Sequence, residues 1–327
     1  MGYHRSFKLA VATTMLLGAP PVAAQDWPTR NVTLVVPFGA GSATDTVSRI
    51  IGARMSELMG QQIIVENVGG AGGMIGVSRV AKANADGYTI ALGAVDTFAQ
   101  SQTLYAKPLY DSMKEFAPVA LAVEQPLLLI TRKELPPNNL KEFSDYVKAN
   151  HGKMQFGSAG VGSAPHLVCS QITHAIGVSV PHVPYRSSAP ALQDLIAGTL
   201  DFYCPLAPAA TGLIENKQIK AIAVLTKERS PLLPNLPSAA EQGMPGIDGY
   251  YWMGYFLPKG TPDSIVTKLN GIISQSLDTP TVAARLRDVG TSVVAPQRRT
   301  SAYLQKYVED EIKQWAATIK ASGVKLN

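Results

Sequence analysis

At 327 residues the chain is long for one domain and suits two of about 100–200 residues each. Hydrophobic residues make up 46% and charged residues 16%, so the chain can bury a core and is not disordered. A formal charge of +5, with no Lys/Arg block, gives no case for nucleic acid and licenses only a small attraction to anions.

The first residues read as a secretory signal. Arg5 and Lys8 supply a positive start, residues 9–19 an apolar block too short to span a bilayer, and Val22-Ala23-Ala24 the small residues of a cleavage site. Cleavage is expected after Ala24, and no Cys follows that would carry a lipid anchor; a buried first helix is the alternative. Removal takes Arg5 and Lys8 and no acid, so the charge falls from +5 to +3. No later stretch reaches about 18 uninterrupted apolar residues, so no membrane span is expected.

Strand-like and helix-like segments then alternate. Residues 32–36 are a β-rich run. Residues 46–59 carry Val47, Ile50, Ile51, Met55 and Leu58 on one helical face, with Ser42 and Asp45 spaced for a capping start and Gly60 as a stop. Strands follow at 62–66 and 88–92, around a helix at 75–83. This rhythm predicts a mainly parallel sheet with helices on both faces. The middle repeats it: strands at 127–131, 154–156, 180–183, 200–203 and 219–224, helices at 140–150, 166–176 and 189–197. The last third holds helices at 262–277, 281–289 and 300–321. Two similar units without a flexible linker suggest lobes joined by crossing strands, with 119–131 and 219–226 as candidate crossings.

Two Gly/Ser loops sit where strands end and helices begin, "VVPFGAGSATDT" at 35–46 and "QFGSAGVGSAPH" at 155–166. Such a turn presents backbone N–H groups that the helix cannot satisfy, and small residues let a ligand come close. The helix dipole adds a field that favours an anion. Two loops facing each other would hold a carboxylate at each end of a small molecule, with Ser42, Thr44, Ser158 and Ser163 as hydroxyl donors. Ordinary turn chemistry explains either loop alone.

Other chemistries lack their residues. Neither loop matches G-x-x-x-x-G-K-[ST], and "GAGGMIG" at 70–76 is not a dinucleotide fingerprint. There is no G-x-S-x-G, and no H-E-x-x-H. His166 begins a helix and either lines a site or caps and packs. Asp45 reads as a helix cap. Phe38, Phe98, Tyr185, Tyr203, Tyr250, Tyr251 and Trp252 are the aromatics nearest the candidate cleft. Cys169 and Cys204 are either a disulfide, which an oxidising compartment permits, or two buried thiols. No cofactor or metal is expected.

The order and wording of several segments resemble a known family. "WPTRNVTLVVPFGAGSATDTVSRIIGARMSELMGQQIIVENVGGAGGMIG", "ADGYTIALG", "FAPVALA", "HVPYRSSAPALQDLIAGTLDF", "KERSPLLPNLPSAAEQG" and "LPKGTPDSIVTKLN" are similar to the extracytoplasmic receptors of the tripartite tricarboxylate transporter system, the Bug family. The resemblance runs from about Trp27 to the C-terminus. It implies an α/β fold: a two-lobe periplasmic binding protein of type II, with a ligand cleft between the lobes. On that reading 1–24 is the signal peptide, 25–123 with 226–327 the first lobe and 124–225 the second. It further implies a monomer without catalysis that closes over a small organic acid and delivers it to membrane transporter subunits or to a sensor protein. A secreted α/β hydrolase of carboxylate esters is the alternative.

Carried over residue by residue, the resemblance points to Phe38, Gly39, Ala40, Gly41, Ser42, Ala43, Thr44 and Asp45 in the first lobe. In the second it points to Ser158, Ala159, Gly160, Gly162, Ser163 and His166, with Tyr185, Arg186, Ser187, Tyr203 and Pro205 lining the cleft. This chain departs from the family at Ala40-Gly41-Ser42, where Pro-Gly-Gly is usual, and at Arg186-Ser187, where Lys-Gly is usual. It departs again at Pro205, where an Asp is usual. Loss of that acid predicts a ligand without an amine, bulkier or more apolar.

Overall fold

The computed structural model describes residues 1–2, 27–230, 233–247 and 249–322. Apart from Met1 and Gly2, the signal-peptide reading lies outside the described residues. In chain order the elements are β1 (Val32–Val36), α1 (Ala43–Met59), β2 (Ile63–Asn67), α2 (Met74–Ala81) and β3 (Thr89–Ala94). A π-helical turn (Asp96–Gln100) runs into α3 (Ser101–Leu104), followed by β4 (Phe116–Pro126) and β5 (Leu128–Arg132). Next come α4 (Leu140–Asn150), β6 (Phe156–Ser158), α5 (Ala164–Ile176), β7 (His182–Pro184), α6 (Ser188–Ile196) and β8 (Phe202–Tyr203). The chain continues through α7 (Ala207–Glu215), β9 (Ile219–Val224), β10 (Tyr250–Pro258), α8 (Asp263–Asp278), α9 (Pro280–Asp288), β11 (Ser292–Val293) and α10 (Ser301–Ser322).

Two sheets organise two lobes. The first has the order β11-β4-β10-β3-β1-β2 and the second β7-β6-β8-β5-β9. Neither is mainly parallel, which corrects the expectation from the βαβ rhythm. The pairs β1–β2, β1–β3, β6–β7 and β6–β8 are parallel, whereas β10–β3, β10–β4, β11–β4, β5–β8 and β5–β9 are antiparallel. The reason is connectivity. A chain that crosses to a second sheet and returns brings its crossing strands back in opposite directions. It leaves the first sheet at Leu127, between β4 and β5, and comes back through 225–249 to β10. The crossings are bonded to one another: the Leu127 N–H donates to the Gly249 carbonyl (2.8 Å) and the Leu225 N–H to the Leu127 carbonyl (2.8 Å).

Local signals account for α1. Val47, Ile50, Ile51 and Met55 are buried on one face, and Gly60 ends the helix in the left-handed conformation (φ 66°). The helix starts three residues before the predicted position because Ser42 is its cap, accepting the Asp45 N–H at 3.2 Å. Apolar spacing assigned no element to α7, β10, β11 or the π-helical turn. β10 is buried along nearly its whole length, so it shows no two-residue alternation, and α7 is short, with Pro208 in its first turn and Gly212 inside. Packing around β3 and β10 is aromatic, with Phe98 stacked on Phe256 (3.7 Å between centroids) and edge-on to Phe116 (4.9 Å). Cys169 of α5 and Cys204 after β8 form a disulfide (Cα–Cα 5.6 Å), which settles the open choice between bridge and thiols.

Candidate functional site

The lobes meet along a line that encloses an inner cavity and an outer groove. The inner cavity, about 20 Å³, is lined by Phe38, Ser42, Ala43, Thr44, Asp96 and Tyr251 of the first lobe. Ala159, Pro165, Ser188 and Leu206 line it from the second. That volume holds about one water molecule, so an organic acid fits between these residues only with the lobes farther apart than they stand here. The outer groove, about 870 Å³, forms the mouth, with Phe38, Gly39, the glycines 69–70 and 72–73, and Tyr105 facing Ala159, Gly160, Val161, Tyr185 and Arg186. Contact across the mouth is close. The Tyr105 hydroxyl donates to the Val161 carbonyl (3.3 Å). Gly72 (φ 62°) faces the same carbonyl, where a Cβ would come within 3.0 Å.

At the first loop, the turn satisfies itself. Ser42 Oγ takes the Asp45 N–H, and the Asp45 carboxylate takes the Gly41 N–H (3.0 Å), Arg49 Nε (3.0 Å) and Asn67 Nδ2 (3.0 Å). Burial opposes the Asp45 charge, but Arg49, the Gly41 amide and Asn67 outweigh it and hold its carboxyl below the ordinary value. Asp45 therefore caps and braces the loop. Ser42 Oγ and Thr44 Oγ1 share one hydrogen bond (2.9 Å), so one of their two protons points elsewhere, and both residues line the inner cavity.

The second loop differs. Ser158 Oγ donates to the Gly160 carbonyl and accepts the Gly160 N–H, both at 3.0 Å, and Ser163 Oγ donates to the same carbonyl at 2.7 Å. Each hydroxyl has a single proton. Ser163 is thus a donor within its own loop, and the Ser158 hydroxyl lies between the Gly160 carbonyl and His182 Nε2 (2.7 Å). His166 Nδ1 accepts the Gly162 N–H (3.2 Å), and its ring stacks on His182 (3.9 Å). Burial pushes His166 down to about 4 and, with the neighbouring His166 ring adding to burial, His182 down to about 3, so both are neutral at pH 7. His182 Nε2 lies 2.7 Å from Ser158 Oγ, the Ser–His contact a hydrolase would need, yet neither residue lines the cavity or the groove.

Ser163 places no side-chain cap on α5. Across the inner cavity from its first turn stands Asp96, an acid from the opposite lobe. Asp96 opens the π-helical turn after β3 and is 1% exposed. It accepts the Thr97 N–H (2.8 Å) and the Tyr251 hydroxyl (3.1 Å to each oxygen). Burial dominates these bonds and raises its carboxyl to about 7. Sequence reasoning missed Asp96. Its only signal was an acid just after a buried apolar strand, and Tyr251, which bonds it, lies 155 positions away.

The predicted residues divide accordingly. Phe38, Ser42, Ala43, Thr44 and Ala159 line the inner cavity, and Gly39, Gly160, Tyr185 and Arg186 line the mouth. Ala40 and Gly41 are exposed, and Asp45, Ser158, Gly162, Ser163 and His166 form the framework behind the two loops. Ser187 is buried against Gly39. Tyr203 braces Ser188 through a hydroxyl contact (2.9 Å), and the Pro205 carbonyl accepts the Leu128 N–H (2.9 Å). Of the aromatics, Tyr251 reaches the cavity, whereas Phe98 belongs to the core and Trp252 donates to Glu311 (2.8 Å). No group of three His, Cys, Asp or Glu suited to a metal exists among the described residues.

Two α/β lobes, joined by paired crossings and closing on a cleft built from two strand–loop–helix turns, define a two-lobed solute-binding receptor of type II. The family model described as the tripartite tricarboxylate transporter family receptor matches residues 47–324, and the chain belongs to that family. It is 31% identical to protein BugT of Bordetella pertussis, over 94% of each chain. Among solved structures it is similar to MatC from Rhodopseudomonas palustris with bound malate (39% identity, TM-score 0.86, 90% of this chain and 100% of that one). It is also similar to R. palustris Rpa4515 with adipate (36% identity, TM-score 0.87, 92% and 99%).

Proposed function

We propose that this receptor works in the periplasm, as a monomer and without catalysis, closing over a small organic acid and handing it to the membrane subunits of a tripartite tricarboxylate-type transporter. The lobes are 25–123 with 226–327 and 124–225. The observation that carries the acid reading is the start of α5: its first turn opens on the inter-lobe cavity through Pro165, and Ser163 leaves it without a side-chain cap. A helix N-terminus offers unsatisfied N–H groups and a favourable field, so it suits a ligand carboxylate. Malate in MatC and adipate in Rpa4515 make a dicarboxylate the first class to try. On this reading Phe38, Ser42, Ala43, Thr44, Ala159 and Ser188 surround the acid. Arg186 at the mouth attracts it.

The hydroxyl that Ser42 and Thr44 leave over supplies one donor, and main-chain amides supply the rest. A micromolar receptor needs only about −8 kcal/mol, which a few charge-assisted hydrogen bonds supply after ordering costs. Thermal unfolding against a panel of mono-, di- and tricarboxylates tests the proposal. An acid at about 100 times its dissociation constant stabilises the protein by about 2.7 kcal/mol. A folded protein that shifts with no acid in the panel refutes it.

A further inference from the structure

Asp96 places a carboxylate in the inter-lobe cavity, where the starts of α1, α5, α6 and α7 converge through Ser42, Pro165, Ser188 and Leu206. It lines the cavity together with Pro165 from the first turn of α5, so a ligand carboxylate seated at that turn has Asp96 as its neighbour. The groups facing Asp96 are Thr97 beside it, Tyr251 from β10, Tyr105 and Tyr110 beyond the π-helical turn, and the start of α5. Its hydrogen-bond partners are hydroxyl and amide donors, with no Lys or Arg among them. Asp96 is thus held as an acceptor, and a second carboxylate beside it meets like charge in a place closed to water. Its position at the head of a π-helical turn, a rare geometry enriched at functional sites, is a separate pointer to the same residue.

We infer that Asp96 selects the ligand: the acid seated at the start of α5 carries a protonated amine on the carbon next to its carboxylate. This rests on the cleft being the acid site proposed above. The carboxylate takes the helix amides and the amine takes Asp96, so the buried charge gains the partner its surroundings lack. The preference expected from Pro205 is thereby reversed, because the acid missing from the second lobe enters the cavity from the first. Burial alone holds the Asp96 carboxyl at about 7, and a cation beside it lowers that value. Binding an amine-bearing acid therefore releases protons near pH 7 and tightens from about pH 6 to about pH 8. Binding an amine-free acid takes protons up and weakens over the same range.

Titration calorimetry with matched pairs, aspartate against succinate and glutamate against glutarate, tests this in the wild-type protein and in Asp96→Asn. The wild type is expected to favour the amine-bearing member by about tenfold or more, the worth of one charge-assisted hydrogen bond, and Asp96→Asn to bring each pair within about twofold. Equal affinities in the wild type, a preference for the amine-free member, or a preference that survives in Asp96→Asn each overturns the assignment. The pH dependence in the wild type needs no variant, and affinity that rises as pH falls from about 8 to about 6 overturns it independently. Binding of neither series, or binding without discrimination, refutes this inference; the cleft as an acid site falls only if the wider panel of carboxylates also leaves the protein unshifted.

Discussion

The start of α1 is closed by groups from its own turn: Ser42 takes one amide and Asp45 another. The start of α5 lacks such a cap, and the facing lobe sets Asp96 on the same cavity as its first turn. Both loops follow a strand, both are rich in Gly, Ala and Ser, and both precede a helix, so their sequences read as equivalent jaws. The difference lies in one position. The first loop has an acid three residues after its capping serine; the second has His166 there, which spends its ring nitrogen on Gly162. One jaw is a finished structural element. The other needs something from outside itself, and that dependence is what a ligand exploits.

The two jaws should also fail differently. The largest effect concerns the disulfide, which braces only the second. Replacing both Cys169 and Cys204 by Ala removes a cross-link spanning 35 positions and should cost about 4 kcal/mol in urea unfolding. A loss below about 1 kcal/mol would mean the second lobe is rigid without it.

Acid comes next. Unfolded His166 takes a proton below about pH 6.5, whereas the folded residue refuses it until about pH 4. Stability present above pH 6.5 is therefore lost as pH falls through that window, by up to about 3 kcal/mol. His166→Gln should make that part of the profile shallower while leaving the share due to His182, which is also pushed down; a wild-type profile already flat there contradicts the buried neutral rings.

For the first jaw, Asp45→Ala strands the Gly41 amide, Arg49 and Asn67, at a cost of about 2 kcal/mol at pH 7. The Asp45 carboxyl is held below its ordinary 3.8, so its contribution is present above that pH and lost as pH falls through the lowered value. Wild type and variant should converge in acid, and a gap that stays constant down to pH 2 rules out the charge as its source.

Smallest are the serines. Ser42→Ala loses a helix cap, about 1 kcal/mol, with most of it restored in Ser42→Gly. Ser163→Ala should cost only about 0.5 kcal/mol, because the Gly160 carbonyl keeps Ser158 Oγ and the Ser163 amide as donors. Equal losses at the two serines would mean that the two helix starts are held alike.

What could be read from the chain was local. Val47, Ile50, Ile51 and Met55 announce α1 by spacing, and Gly60 ends it by backbone conformation. The two loops were legible for the same reason. The inner cavity was not, because Tyr251 arrives on β10, which reaches β3 only after the chain has built the second lobe. Asp96 and Tyr251 stand 155 positions apart and touch. Nor did residue type reveal how each hydroxyl is used. Ser42 and Ser163 look alike as letters, and only the neighbouring carbonyl and carboxylate decide which one keeps a proton to spare.

The paired crossings at Leu127, Leu225 and Gly249 set a last property. A receptor whose lobes swing about one stitched seam has an affinity for every ligand that scales with how often the seam lets the mouth close. A substitution at Gly249, where a Cβ would meet the Leu225 carbonyl at 2.8 Å, acts on that frequency. It multiplies all affinities by a common factor and leaves their ranking alone. Grip and discrimination are thus separate dials in this molecule, one on the spine and the other at Asp96.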